Sequence, residues 1–198
     1  TLTGDNSGFT GAVVIEAGTL AISSGTNLGD GSATNILTIK DKLQVTGTFD
    51  TGARNVILAD TPTIEVVGAS RTLTISGNVE GVALTKTGAG ALVLQNSVAD
   101  NNTFAGLNIN AGTVSLGLSD QIDNAANVAI DGAGSTLDIG ARDDTVGAVS
   151  LKNAGTINGT TGTLTGTSYT VEDGTVNAKL GGAVALTKTT AGTVTLKK

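Results

Sequence analysis

Ala83-Leu84-Thr85-Lys86-Thr87-Gly88-Ala89-Gly90-Ala91-Leu92-Val93-Leu94, ALTKTGAGALVL, returns near the end of the chain as ALTKTTAGTVTL, Ala185 to Leu196. Alternating apolar residues on either side of a glycine-rich break are the pattern of two short strands joined at a corner. On this reading Leu84, Leu92 and Leu94 face a core, Thr85 and Lys86 mark the entry to a strand, and Gly88 and Gly90 make the corner. The pattern extends in both directions. Runs such as Ala12 to Ile15, Thr19 to Ile22, Thr63 to Val67, Thr72 to Ile75, Thr113 to Leu116 and Thr136 to Ile139 are short, rich in β-branched residues and bounded by Gly, Asn, Asp and Thr. No apolar stripe runs for more than two helical turns, so the expected helix content is close to nil.

Repetition occurs at two scales. A Gly-Thr-apolar phrase starts at Gly18, Gly112, Gly155, Gly174 and Gly192, and the last three copies follow at about the spacing of one coil of a solenoid. At longer range Phe104-Ala105-Gly106-Leu107-Asn108-Ile109-Asn110-Ala111-Gly112-Thr113-Val114 reads against Phe9 to Leu20, one residue longer, and Phe49 to Arg54 reads against Leu137 to Arg142. The chain thus divides into two tandem units, approximately 1–94 and 95–198, within a single β-helix domain.

Asp30-Gly31, Asp131-Gly132, Asn158-Gly159 and Asp173-Gly174 are hairpin dipeptides that would also suit a sandwich. Periodicity favours a coil. A parallel β-helix stacks like residues at ~4.8 Å per turn, which requires small and β-branched side chains at repeated phases and Gly or Asn at the corners. The expected fold is all-β: a single-stranded right-handed parallel β-helix (β-solenoid) of about nine to eleven coils of ~18 to 22 residues, a rod some ~45 to 50 Å long.

Composition narrows the chemistry. The 198 residues include no Cys and no His, which removes disulfides, a thiolate nucleophile, an imidazole base and the usual zinc ligands. A net charge of -6 opposes nucleic acid and anionic lipid as partners. No apolar run approaches the ~20 residues of a membrane helix, so membrane insertion is not expected. The chain opens on Thr1 and ends in the repeat phase at which it begins, as an excised or processed piece would.

Leu84-Thr85-Lys86-Thr87-Gly88-Ala89-Gly90, Leu92-Val93-Leu94, Phe104-Ala105-Gly106 and Asn108 to Val114 together resemble the passenger-associated strand repeat of autotransporters and giant bacterial surface proteins, whose usual form is LTKxGxGTLxLxGxNxYTGxTxVxxGTL. One nearly complete copy spans 83 to 117; its second half opens the chain and its first half closes it. Phe9 and Phe104 stand where the family has Tyr, Thr190 replaces the glycine equivalent to Gly88, and residues 97 to 103 depart from the usual linker. The resemblance implies a β-helix outside the cell or on the surface of a Gram-negative-type bacterium, with any translocator lying outside these residues. It implies no catalytic residue.

The densest charge cluster, Arg142-Asp143-Asp144, is the candidate for a polysaccharide lyase or hydrolase site. Its counterpart Arg54-Asn55 lacks the second acid, and a solvated corner is the expectation. Asp30-Gly31-Ser32, Asp120-Gln121-Ile122-Asp123 and Asp131 to Gly134 fit no calcium loop and read as turns. Thr-x-Thr pairs at Thr1, Thr72, Thr85, Thr163, Thr187 and Thr193 raise ice binding, against which their uneven spacing counts. No catalytic, cofactor or metal residue is assigned. The expected function is a structural rod segment: a passenger, adhesin stalk or filament subunit, not an enzyme. Its expected partners are further copies stacked end to end or more coils of a longer array. A glycan or cell-surface partner at side loops 97 to 103 or 118 to 127 stays open.

Overall fold

The computed structural model describes residues 1–99 and 101–198. Among them there is no α-helix, and one 3-10 turn, Gly25–Leu28, capped by Ser24. The strands build three parallel sheets that the chain visits in turn. The first holds Val13–Ile15, Leu37–Ile39, Val56–Leu58, Val79–Gly81 and Thr103–Phe104. The second, of ten strands, runs from Thr19–Ile22 through Lys42–Val45, Thr63–Val66, Leu84–Thr87, Gly106–Ile109, Asn127–Asp131, Asp144–Lys152, Thr163–Val171 and Lys179–Gly181 to Leu186–Lys188. The third runs from Phe49–Asp50 through Thr72–Ile75, Ala91–Leu94, Gly112–Leu116, Ser135–Asp138, Gly155–Asn158 and Gly174–Val176 to Val194–Leu196. This is the parallel β-solenoid that the repeats predict.

One inward column of the ten-stranded sheet counts the coils. Leu20, Leu43, Ile64, Lys86, Ile109, Ile130, Leu151, Val171 and Lys188 stand directly over one another, nine rungs separated by 17 to 23 residues. Eight steps of ~4.8 Å give a stack of ~38 Å, at the low end of the expected coil number. A second column, Phe49, Leu73, Leu92, Val114, Leu137, Ile157, Val176 and Leu196, runs down the eight-stranded sheet. Leu73, Leu92, Val114, Leu137 and Ile157 are completely buried. Each such side chain contributes about 1.5–3 kcal/mol relative to exposure, and each is excluded from water only because the coils on either side cover it.

Corners are made by short-range chemistry. The amide of Gly52 donates to Asp50 Oδ1 at 2.8 Å and that of Gly140 to Asp138 Oδ1 at 3.1 Å, and both glycines have positive φ. The two sequence-matched segments therefore turn in the same way, and Phe49 and Leu137 occupy the same column. Gly88, at φ 74°, packs so closely on the preceding coil that a Cβ would lie 2.4 Å from Val66 O. Gly90 needs no left-handed backbone, but a Cβ there would meet Arg71 O at 2.7 Å.

Two features depart from the expected regularity. Strands of two to five residues give way to the nine-residue Asp144–Lys152 and Thr163–Val171. These appear after the five-stranded sheet has ended at Thr103–Phe104, where residues 117–126 form a connection that carries Gln121, Ile122 and Ala126 into the interior. Tyr169 fills space within the second long strand: its hydroxyl accepts from Gly166 N at 2.6 Å and lies 2.7 Å from Leu164 O and 2.8 Å from Gly181 O.

The second feature is rotational phase. The two ALTK copies, five coils and 102 residues apart, fall on the same two sheets. The other matched pair does not. Val13–Ile15 lies in the five-stranded sheet and Thr19–Ile22 in the ten-stranded one, whereas the equivalent Leu107–Ile109 and Thr113–Leu116 lie in the ten- and eight-stranded sheets. Leu20 to Ile109 is four full coils; Val114, which matches Leu20 in sequence, is five residues further, on the next face. The opening segment is thus the same piece of chain turned by one face.

Candidate functional site

The residue type that the sequence pattern placed at a strand entry lies in the middle of the core. Lys86 points inward in a column otherwise apolar until Lys188, and its exposure is 0%. Alternation explains the direction, since Leu84 and Lys86 are two apart and must share a face. A charge is tolerated there because the interior offers it main-chain oxygens. Lys86 Nζ donates to Thr87 O at 2.7 Å, Gly88 O at 2.9 Å and Ala111 O at 3.2 Å. Two of these carbonyls belong to its own corner and the third to the next coil, so the ammonium fastens successive coils together. Burial pushes its pKa down to about 8, against the upward pull of the Glu65 carboxylate.

Arg54 is the second interior cation, also at 0% exposure. Its Nε donates to Asn35 O at 3.0 Å and Asn35 Oδ1 at 2.9 Å, Nη2 bonds the same Oδ1, and Nη1 reaches Thr51 O at 3.3 Å. Burial lowers the pKa of the guanidinium, with Asp30 opposing. A third polar knot holds the connections between coils where the five-stranded sheet ends. Asn96 Nδ2 donates to Asn102 Oδ1, Asn102 Nδ2 to Gln121 O, and Gln121 Nε2 to Asn96 O, at 2.8–3.2 Å. The side loops 97 to 103 and 118 to 127 are therefore anchored from within, and Asp100 of the first lies outside the described residues.

Arg142-Asp143-Asp144 does not converge on a groove. Asp144 is buried and its Oδ2 accepts from the amides of Gln121 and Ile122, whereas Asp143 is exposed and accepts from Thr163 N at 2.8 Å. Asp143 precedes the strand that Asp144 opens, and the two carboxylates serve different coils. Among the described residues no three Asp or Glu come together as a metal site. A shallow cleft of about 220 Å³ beside the 3-10 turn includes Thr26, Asp30, Phe49, Asp50 and Thr51. Its carboxylates are engaged in turns: Asp30 Oδ1 accepts from the amide and hydroxyl of Ser32, which lowers its pKa, and Asp50 Oδ2 accepts from Ser76 Oγ at 2.7 Å.

The threonines are more ordered than their sequence spacing indicates. Thr72, Ala91, Thr113, Thr136, Thr156, Thr175 and Thr195 form one outward column of the eight-stranded sheet. The variable lengths lie in the corners. The neighbouring column, which includes Asp50, Val93, Ser115, Asp138 and Asn158, is mixed, so there is no two-wide hydroxyl array.

Fold and interior together define a parallel β-solenoid rod whose polar residues hold coil to coil. Residues 1–22 and 84–116 match the family model of the passenger-associated-transport-repeat. It is 34% identical, over 188 residues and 89% of its length, to the adhesin BmaC autotransporter of Brucella suis biovar 1 (strain 1330). The alignment spans 5% of that relative's length. No solved structure matches.

Proposed function

We propose that this chain is a structural segment of an autotransporter-type passenger, exposed on or released from the surface of a Gram-negative bacterium, and that its role is to extend and stiffen a rod. The observation that carries this reading is the unbroken nine-rung inward column, in which the Lys86 ammonium bonds a carbonyl of the next coil. Polar side chains that a lyase would direct at substrate are instead spent on corners and coil contacts. Surface labelling of intact cells, with release of the epitope by added protease, tests the location; an epitope reached only after lysis would refute it.

The enzyme reading predicts turnover on a panel of acidic and neutral polysaccharides and a rise in Tm with calcium. We expect no turnover, and a Tm unchanged by calcium or by chelator, because the carboxylates described above are turned into main-chain amides. The threonine column is the observation that favours ice binding; with only one regular column, we expect no thermal hysteresis.

A further inference from the structure

The eight-stranded sheet begins at Phe49–Asp50, and on the coil before it the chain makes the 3-10 turn Gly25–Leu28 in place of a strand. The cleft of about 220 Å³ opens between that turn and the corner 49–52. Glycine keeps the space clear: a Cβ on Gly25 would lie 2.6 Å from Asp50 O, and one on Gly31 3.2 Å from Thr51 O. Both walls are backed by further chain. Thr26 O accepts from Asn6 N and Asn27 Nδ2 donates to Gly4 O on one side, and Phe49 and Asp50 pair with Leu73 and Thr74 on the other. The cleft is therefore a lateral feature of the rod, which additional coils at either end would leave open.

Phe49 stands in the inward column whose members Leu73, Leu92, Val114, Leu137 and Ile157 are completely buried, yet it is only half-buried, and it lines the cleft. Around it are carboxylates already held in place. Asp50 Oδ1 accepts from Gly52 N at 2.8 Å and Asp50 Oδ2 from Ser76 Oγ at 2.7 Å. Asp30 Oδ1 accepts from the amide and hydroxyl of Ser32, while Asp30 Oδ2 makes no hydrogen bond among the described residues. A carboxylate accommodates about four donors, so both acids keep acceptor sites free. The hydroxyls of Ser24 and Thr26, 3.0 Å apart, lie on the same wall as Asp30.

We propose that this cleft binds one neutral sugar residue of a glycan. An accessible aromatic ring in a small polar cleft suits a ligand that is apolar on one face and hydroxylated at its rim. The C–H face of the sugar lies on Phe49, and its hydroxyls donate to Asp30 and Asp50 in charge-assisted bonds. The cleft is smaller than the ~300–1,000 Å³ of sites for drug-sized ligands, which limits the occupant to about one ring. Two carboxylates on the walls repel an acidic sugar, and the nearby Arg54 does not offset them, because it is completely buried and donates to Asn35 and to Thr51 O. The bonds from Ser32 hold Asp30 below the usual carboxylate range, so it serves as an acceptor and not as a general acid. The site retains a sugar without cleaving it. The inference is independent of where the rod is displayed, so cell labelling and sugar binding can fail separately.

The test is a titration of the ¹⁵N-labelled chain with methyl β-glucoside, methyl β-galactoside and methyl α-mannoside, with methyl β-glucuronide as the acidic counterpart. At least one neutral glycoside is expected to move the amide signals of Gly25, Gly31 and Gly52 saturably, with a Kd of about 1 mM, as befits a single ring in an open cleft; the glucuronide is expected to leave them in place. Phe49→Leu puts at this rung the residue that Leu73, Leu92 and Leu137 already supply to the column, and Asp30→Asn retains an Oδ1 acceptor for Ser32. Each variant is expected to weaken binding roughly fivefold or more, with an unchanged circular dichroism spectrum. Signals that stay fixed with all three neutral glycosides at about 20 mM, an equal response to the glucuronide, or unaltered affinity in either variant would overturn the proposal.

Discussion

A lysine inside a column of Leu, Ile and Val is stable only if the ionised form is fully hydrogen-bonded, and Lys86 has three carbonyls to satisfy it. The depressed pKa fixes the sign of its effect on stability. With a folded value of about 8 against an ordinary value of 10.5, the unfolded chain holds more protons between those limits, so stability rises as pH increases across that window. The full rise would be roughly 3 kcal/mol. Urea midpoints at pH 7.5 and pH 10 check it, and in Lys86→Met the rise should vanish. Arg54 differs because it stays charged throughout. Arg54→Met leaves Asn35 Oδ1 and Thr51 O without this donor, and an equilibrium denaturation series should record a loss of about 2–4 kcal/mol. In the sequence Arg54 reads as the counterpart of Arg142; the structure buries the first and exposes the second, because only Arg54 has the Asn35 amide beneath it.

At the scale of the strand and its corner, local rules carry most of the fold. Alternation correctly predicts Leu84, Leu92 and Leu94 as buried, and Gly88 turns the corner as expected. Gly112 is the sharper test of corner chemistry. At φ 68° it packs beneath the preceding corner, where a Cβ would lie 2.4 Å from both Gly88 O and Gly90 O. Gly112→Ala should cost about 2–4 kcal/mol in a chemical melt. Gly134 also has positive φ, but its Cβ would meet open space, so Gly134→Asn should cost less than about 1 kcal/mol. Leu137→Ala, in the middle of the second column, should cost about 2–5 kcal/mol. The strands Val79–Gly81, Thr103–Phe104 and Lys179–Gly181 are too short and too polar to read from sequence. Each exists because a neighbouring coil provides the partner.

For the whole molecule, stability is close to a sum over coils and their contacts. The last coil contributes least, since Leu186, Lys188 and Leu196 are exposed. Residues 1–182, which retain the Tyr169 contact to Gly181 O, should keep the β-type circular dichroism of the full chain, with a Tm lower by no more than about 5 °C; collapse of the signal would show that the coils do not share the load in this way. The sequence by itself determined that this protein is a β-coil, what turns its corners, and that one coil is made twice, because alternation, glycine and Asx turns act over a few residues. Only the tertiary structure decided that Lys86 is a clasp in the core, that the scattered threonines form a column, and that the opening segment is turned by one face. Those depend on which residue lies above which, and corner lengths varying from coil to coil set that register without leaving a fixed spacing in the chain.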